Sequence, residues 1–393
     1  MTRPEKPYRV YRGGRVKGKV PTARPPGTAS PRPSSSSRRR GDGRVEYRGP
    51  GAQTTRSPRW GRRIALGVVV LVLLFVVWAV ASWLQFSSGV ADANKRLDPN
   101  AKAALDKQSG LLLSHSTTIL LLGTDNSASA ARAGDRHSDS IMLLRTDPAH
   151  HRLYYLSIPR DIVVPIPGQG TQKINAAMQF GGPALAIRTI RQFTGIPIDH
   201  VVVVNFGAFK ELIDAIGGIT VDVPRPIRSN RFDCPYATQA QCTRWPGWRF
   251  AKGPQHMNGE RALIYSRIRE NQLNPAENDI TRGARQQAVM NAVMAKFTSP
   301  GVLFDTAFSG SSYAKPLTTD LTAWQLAQLA WVKFRSSTSS SVHCRLGGDL
   351  GAGGTGSPSE DNPATIAMFL GKSAPQPPTG PFDPGCVVGR VLQ

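Results

Sequence analysis

Residues 64–84 read IALGVVVLVLLFVVWAVASWL, 21 residues without a single charge. At about 1.5 Å per residue a helix of this length crosses a hydrocarbon layer of about 30 Å. Trp78 and Trp83 lie toward its far end, where interfacial aromatic residues belong. A cleaved leader fits poorly, because more than sixty residues precede the run and its apolar core is too long. The chain therefore divides at this point into a segment on each side of a membrane.

The two sides differ in charge. The 393-residue chain has a formal net charge of +23. Residues 1–63 hold 18 Lys and Arg against Glu5, Asp42 and Glu46, a net of +15, which leaves +8 for the remainder. This tail (PTARPPGTASPRPSSSSRRRGDGR at its centre) is rich in Pro, Gly, Ser and Arg and too poor in apolar residues to build a core, so disorder is expected. Arg59, Arg62 and Arg63 abut one side of the span, and the first basic residues beyond it are Lys95 and Arg96. The positive-inside rule then places the tail in the cytoplasm and everything after Leu84 outside. The tail reads as a retention signal and linker rather than a nucleic-acid or lipid binder. It has little of the aromatic interleaving that single-strand binders use, and no nucleic acid is expected as a partner.

Cys234, Cys242, Cys344 and Cys386 all follow the span. An even number in an exported region reads as two disulfides, with Cys234 and Cys242 close enough to clip one loop, which leaves Cys344 for Cys386. Zinc is the alternative, but there is no C-x-x-C and no nearby His pair.

Residues 85–116 are polar and read as an extracellular stalk. From residue 117 strands and helices alternate. TTILLLGTD, SIMLLRTD, RLYYLSIPRD and HVVVVNF are continuous apolar runs, as in strands covered on both faces. GGPALAIRTIRQFTG, GAFKELIDAIGG, DITRGARQQAVMNAVMAKF, LTAWQLAQLAWVKF and NPATIAMFLG carry helical spacing. An α/β domain over 117–372 is expected, with a central mixed sheet between helix layers, followed by a C-terminal tail over 373–393 tethered by a disulfide.

Charged residues cluster at chain turns of this domain. Arg160 and Asp161 close the YYLSI run, and Asp125 closes ILLLG. Arg136 and Asp139 precede SIMLL, and Lys173 and Asn175 precede a helix. Arg267 and Arg269 alternate in SRIR, and Asp279, Arg282, Arg285 and Gln286 lie in DITRGARQQ, with Arg282 and Arg285 on one helix face. In open α/β sheets sites lie beyond the strand ends. Arginine forks hold phosphate oxygens, and carboxylates hold Mg²⁺. Taken singly each pair reads as a surface ion pair; together they suit a diphosphate with a divalent ion.

The segments LLLGTD, HSDSIMLLRTD, LSIPRD, KINAA, GGP, GITVDVP, GERALIYSRIRE and DITRGARQQ occur in the order seen in the LytR-CpsA-Psr family, which this chain resembles over about 117–297. The resemblance implies a membrane-anchored phosphotransferase of the cell envelope that moves a glycopolymer, teichoic acid among them, from a polyprenyl diphosphate carrier to peptidoglycan. By that resemblance Asp125 and Asp139 bind Mg²⁺ or Mn²⁺. Arg160, Arg267, Arg269, Arg282 and Arg285 bind the diphosphate. Asp161, Lys173, Asn175, Asp279 and Gln286 orient those groups or complete the pocket. The family usually has an arginine one residue closer to the position of Asp139. Here the order is Arg136-His137-Ser138-Asp139, so either Arg136 acts from one residue away or His137 replaces it.

The implied reaction is attack of a peptidoglycan hydroxyl on the sugar-bearing phosphorus, with polyprenyl monophosphate leaving. It needs charge neutralisation and alignment more than covalent help. Asp161 or Asp279 is the expected proton acceptor. Among the apolar residues Phe193, Val201 to Val204, Phe206, Phe209, Leu212, Ile213 and Ile216, core packing is the simpler reading at each position; a lipid tunnel is the alternative. Three rival functions are open at this level: a pyrophosphatase acting on the lipid carrier, a membrane-bound regulator or attenuator, and a sugar-binding receptor using Trp245, Trp248 and Phe250. The regulator would need the tail to bind DNA or a partner, and the tail carries no DNA-reading pattern.

Overall fold

The structure, a computed structural model, describes residues 59–106, 110–124, 137–230, 233–236, 238–275, 277, 279–350, 356–380 and 383–389. The basic tail up to residue 58, Asp125 and Arg136 lie outside the described residues. Chain order begins with α1 (Arg59–Lys95), α2 (Pro99–Ala104), β1 (Thr118–Thr124), β2 (Ser138–Asp147), β3 (Arg152–Ile158), β4 (Val163–Ile166), β5 (Gly170–Lys173) and α3 (Ala176–Thr194). It continues with β6 (His200–Asn205), α4 (Phe206–Ala215), β7 (Ile219–Val223), β8 (Ile227–Arg228), α5 (Gln239–Arg244), β9 (Arg249–Phe250), β10 (Gly253–Met257) and α6 (Gly259–Arg267). It ends with α7 (Asp279–Phe297), α8 (Pro300–Ala314), β11 (Leu317–Thr319), α9 (Ala323–Arg335), β12 (Val342–Arg345), β13 (Gly348–Leu350), β14 (Gly356–Pro358), α10 (Asn362–Phe369) and β15 (Gly385–Val388).

A seven-stranded mixed sheet runs β11-β6-β1-β2-β3-β12-β15. β1 and β6 are parallel, β2 is antiparallel to both β1 and β3, and β12 is parallel to β3. The ends of β1, β3 and β6 therefore lie beside the start of β2. On one face Leu120, Leu122, Leu143, Leu156 and Val201 pack with α3 residues Leu185, Ile187 and Ile190. On the other face Ile119, Met142, Leu144 and Tyr155 meet Val332 of α9 and Met294 of α7. The continuous apolarity of the strands reflects this double cover.

α7 lies close against the sheet. Gln287 donates to Ser157 Oγ at 2.8 Å and to the Cys344 carbonyl at 3.0 Å. A Cβ added at Gly283 would stand 3.0 Å from both Ser157 Cβ and Ser157 Oγ, so glycine permits the approach. Replacing Gly283 by valine should push α7 off β3 and cost about 1–3 kcal/mol of stability, as overpacking does. Thermal unfolding of the full-length chain in detergent reads this as a lower Tm.

Two segments are more integrated than their composition implies. The polar stretch read as a stalk continues α1 to Lys95 and forms α2, and it buries Val90, Ala93, Leu97 and Ala101 at 2 % exposure or less. Its small apolar residues are spaced to face the domain while Lys and Asp cover the outer side. The segment read as a C-terminal tail supplies β15, an edge strand of the main sheet paired to β12 in register Cys344↔Cys386. Both disulfides, Cys234–Cys242 and Cys344–Cys386, are formed, and there is no free cysteine among the described residues.

Candidate functional site

The second face of the sheet is not fully covered. Leu121, Gly123, Val202 and Val204 are only half-buried, while their neighbours Leu120, Leu122, Val201 and Val203 are buried. Strand alternation explains the difference: the first set points away from α3, into a cavity of about 1730 Å³ beneath α7, α8 and α9. Val289, Met290, Val293 and Met294 of α7 line the opposite wall, and the lining continues to Trp78, Trp83 and Phe86 of α1. Small-molecule pockets usually measure about 300–1,000 Å³. This cavity suits a long apolar chain instead. Of the apolar residues singled out in the sequence, Val202, Val204, Phe206, Phe209 and Leu212 line it. Val201, Val203, Ile213 and Ile216 are buried core, and Phe193 packs against the core on the α3 side.

Charged residues gather where the strands end. Arg160 and Asp161 follow β3, and Asp139 is the second residue of β2. The β4–β5 hairpin turns through Gly168 and Gly170 at φ +75° and +74°, left-handed values that favour glycine, and returns Lys173 to Asp161. Arg160 binds the Asp139 carboxylate and donates from Nε to Asp161 at 3.2 Å. Lys173 Nζ lies 2.8 Å from the other Asp161 oxygen. Arg282 donates to the Asp139 carbonyl at 2.9 Å, and Gln286 Oε1 accepts from Ser140 Oγ at 2.9 Å. Arg267, with its guanidinium 5.0 Å from the Phe206 ring centre, and Arg269 complete the cationic rim. Asn175, His137 and these groups all line the same cavity.

Two expectations about this cluster change. Arg285 does not join it. Its guanidinium binds Glu277 at 2.7 Å and the Ile268 carbonyl, and it is 5 % exposed. The i,i+3 offset of about 60° from Arg282 is enough to point it at the α6–α7 connection rather than the cavity. Burial lowers its pKa, against the opposing pull of Glu277. Asp161 has both carboxylate oxygens engaged by cations, so it positions Arg160 and Lys173 and is poorly placed to accept a proton. Asp279 is the first residue of α7; nothing is described of its side chain.

Sequence reasoning missed Asn230, Asp233 and Glu270, which also line the cavity. Asn230 donates to Glu270 at 2.6 Å, and the Trp248 indole donates to the Asp233 carbonyl at 3.2 Å. Burial pushes the Asp233 carboxyl up to about 6, against the pull of Arg269, Arg285 and Arg267. The available signal was the position of Asp233 immediately before a disulfide cysteine, which fixes an otherwise irregular loop. The aromatic trio read as a sugar platform is largely structural: Phe250 is 2 % exposed and meets Tyr265 edge-on at 5.2 Å, and Trp245 and Trp248 pack on each other.

Among the described residues no three His, Cys, Asp or Glu side chains converge on one point. Mg²⁺ is commonly held by one or two carboxylates, with phosphate oxygens and water completing the shell. Asp139 fits that pattern. Asn175 Oδ1, on a residue that lines the same cavity, is buried without a hydrogen-bond partner, an oxygen atom that suits a hard cation or its water.

A ligand matched to this site is apolar along its length and anionic at one end, and it must be met at a membrane. α1 is the one described helix long and apolar enough to cross one. The fold and site thus define a membrane-anchored α/β protein for an amphiphilic anion. The chain belongs to the LytR_cpsA_psr family, which it matches over residues 80–345. That range extends the sequence resemblance to the end of α1 and through α8, α9 and β12. The chain is 28% identical over 287 residues to the polyisoprenyl-teichoic acid–peptidoglycan teichoic acid transferase TagU of Bacillus mycoides, covering 72% of this chain and 86% of that protein. It is 36% identical over 185 residues to the corresponding transferase TagV of Bacillus subtilis, covering 46% of this chain and 44% of that one. Among solved structures, TagT bound to LIIa-WTA matches with a TM-score of 0.51 at 27% identity, over 67% of this chain and 94% of that one.

Proposed function

We propose that this protein transfers a glycopolymer of the teichoic acid class from a polyprenyl diphosphate carrier to peptidoglycan. One observation carries the reading: an apolar cavity of about 1730 Å³ ends on a rim of arginines. The volume and apolar lining of the cavity suit the polyprenyl chain, and the rim suits the diphosphate. The named activities of TagU and TagV support the same assignment.

In this reading an acceptor hydroxyl attacks the sugar-bearing phosphorus. A phosphodiester to peptidoglycan forms, the P–O bond of the diphosphate bridge breaks, and polyprenyl monophosphate leaves. Arg160, Arg267, Arg269 and Arg282 bind phosphate oxygens as charge moves to the leaving group. Asp161 holds Arg160 and Lys173 in place, and Gln286 and Asn175 shape the pocket. Mg²⁺, held through Asp139, would neutralise diphosphate charge when bound. The acceptor proton passes to Asp233, whose pKa of about 6 keeps it ionised and basic at neutral pH. Because burial raises that pKa, the carboxylate form is lost as pH falls through about 6. The rate should therefore fall about tenfold per unit below that value, and Asp233→Asn should flatten this limb while lowering the plateau by about 10²–10⁴-fold. The flanking arginines Arg62 and Arg63 support an orientation with the N-terminal side of α1 in the cytoplasm and the domain outside the cell membrane.

A kinetic test separates transfer from hydrolysis. With the full-length chain in vesicles, release of polyprenyl monophosphate should stay near background until a peptidoglycan fragment is added. Equal release without that acceptor would make the protein a carrier-lipid pyrophosphatase.

A further inference from the structure

We propose that α8 and α9 are a membrane-seated face: their outer surfaces insert into the bilayer leaflet on the C-terminal side of the span. Twelve large apolar residues outside α1 are exposed among the described residues, and six of them are Leu303, Phe304, Phe308, Trp324, Trp331 and Phe334. Phe304 and Phe308 share one side of α8 at i,i+4, and Trp324, Trp331 and Phe334 share one side of α9. Exposure runs from 52% for Leu303 to 73% for Phe308, whereas Val302, Tyr313 and Val332 on the inner sides are buried. The two helices carry one acid, Asp305, whose carboxylate accepts the Tyr313 hydroxyl at 2.5 Å.

Continuity with α1 identifies the occupant as a bilayer. The Trp78 indole donates to the Phe304 carbonyl at 2.9 Å and stacks on its ring at 5.8 Å. Trp83 meets Trp324 edge-on at 6.2 Å. Trp78 precedes Leu84, the last residue of the apolar run before Gln85, by six residues. That places it about 9 Å inside the apolar span. Phe304, bound to it, sits at the same depth, so α8 is in the leaflet whenever α1 spans the membrane. Exposed Trp and Phe on a helix face are the residues that bind at this level. Trp78, Trp83, Trp331 and Phe334 also line the cavity, so this face joins the cavity to the bilayer. On the proposed function, which the seating itself does not need, a carrier chain would pass from lipid to cavity along this route.

The test uses full-length chain in phosphatidylcholine–phosphatidylglycerol vesicles, with nitroxide labels at Phe308→Cys and Phe334→Cys and a reference label at Gln169→Cys on the exposed β4–β5 turn. All are surface positions, so folding is not at risk. Collision with oxygen relative to a water-soluble nickel chelate should be about threefold or more higher at 308 and 334 than at 169, since oxygen concentrates in the apolar layer. Equal ratios at the three positions would overturn the proposal. So would dipolar coupling between labels on two chains with no oxygen preference, which would make the face a contact between copies.

Discussion

Arg160→Ala is expected to lower transfer by about 10²–10³-fold, the effect of removing one preorganised donor from a developing phosphate charge. Arg160 is the hub of the charged rim. It touches both Asp139 and Asp161, and its side chain is only 12% exposed. Its loss also leaves two carboxylates facing each other, so a stability cost of about 1–3 kcal/mol accompanies the loss of rate. Arg160→Lys separates the two effects. It keeps one positive charge between the aspartates and most of the stability, but cannot bridge them and a phosphate with a planar fork. Steady-state rates beside thermal unfolding read both. If Arg160→Lys transfers at the wild-type rate, the guanidinium has no role beyond charge balance.

The second large effect contrasts two adjacent valines. Val202→Trp should leave Tm nearly unchanged and weaken binding of the lipid-linked donor by about 100-fold or more. The indole would point into the cavity that Val202 lines, and excluding even four methylene-sized groups of a ligand removes about 3 kcal/mol. Val201→Trp should do the reverse. Val201 is fully buried at 0% exposure, so the protein should be destabilised or fail to fold. Donor binding measured on the folded fraction, with unfolding curves for both variants, checks this. A stable Val202→Trp protein that binds donor normally would show that the cavity does not hold the chain.

The strand runs and most helices were legible in the sequence because apolar period and glycine stops are local signals. The ends of β1 and β3 marked the charged rim for the same reason, and Asp139, Arg160, Lys173, Arg267, Arg269, Arg282 and Gln286 do meet there. The cavity was not legible. Val201 and Val202 are the same residue type, and only the packing of α7 and α9 leaves one of them facing space. Arg282 and Arg285 likewise look equivalent until α6 and the connection after it supply Glu277 and the Ile268 carbonyl to one of them. α8 carried no helical signal, because its exposed Phe304 and Phe308 break the polar outer face that periodicity relies on. Asp233 depends on a loop whose shape comes from a disulfide and Trp248, contacts with no period to read.

The central claim is transfer to an acceptor. The direct measurement incubates the full-length protein in vesicles with Mg²⁺, a polyprenyl-diphosphate oligosaccharide and a peptidoglycan fragment, and identifies products by mass spectrometry. The account predicts a phosphodiester-linked oligosaccharide–peptidoglycan adduct together with polyprenyl monophosphate. Polyprenyl monophosphate with free sugar phosphate and no adduct would contradict it.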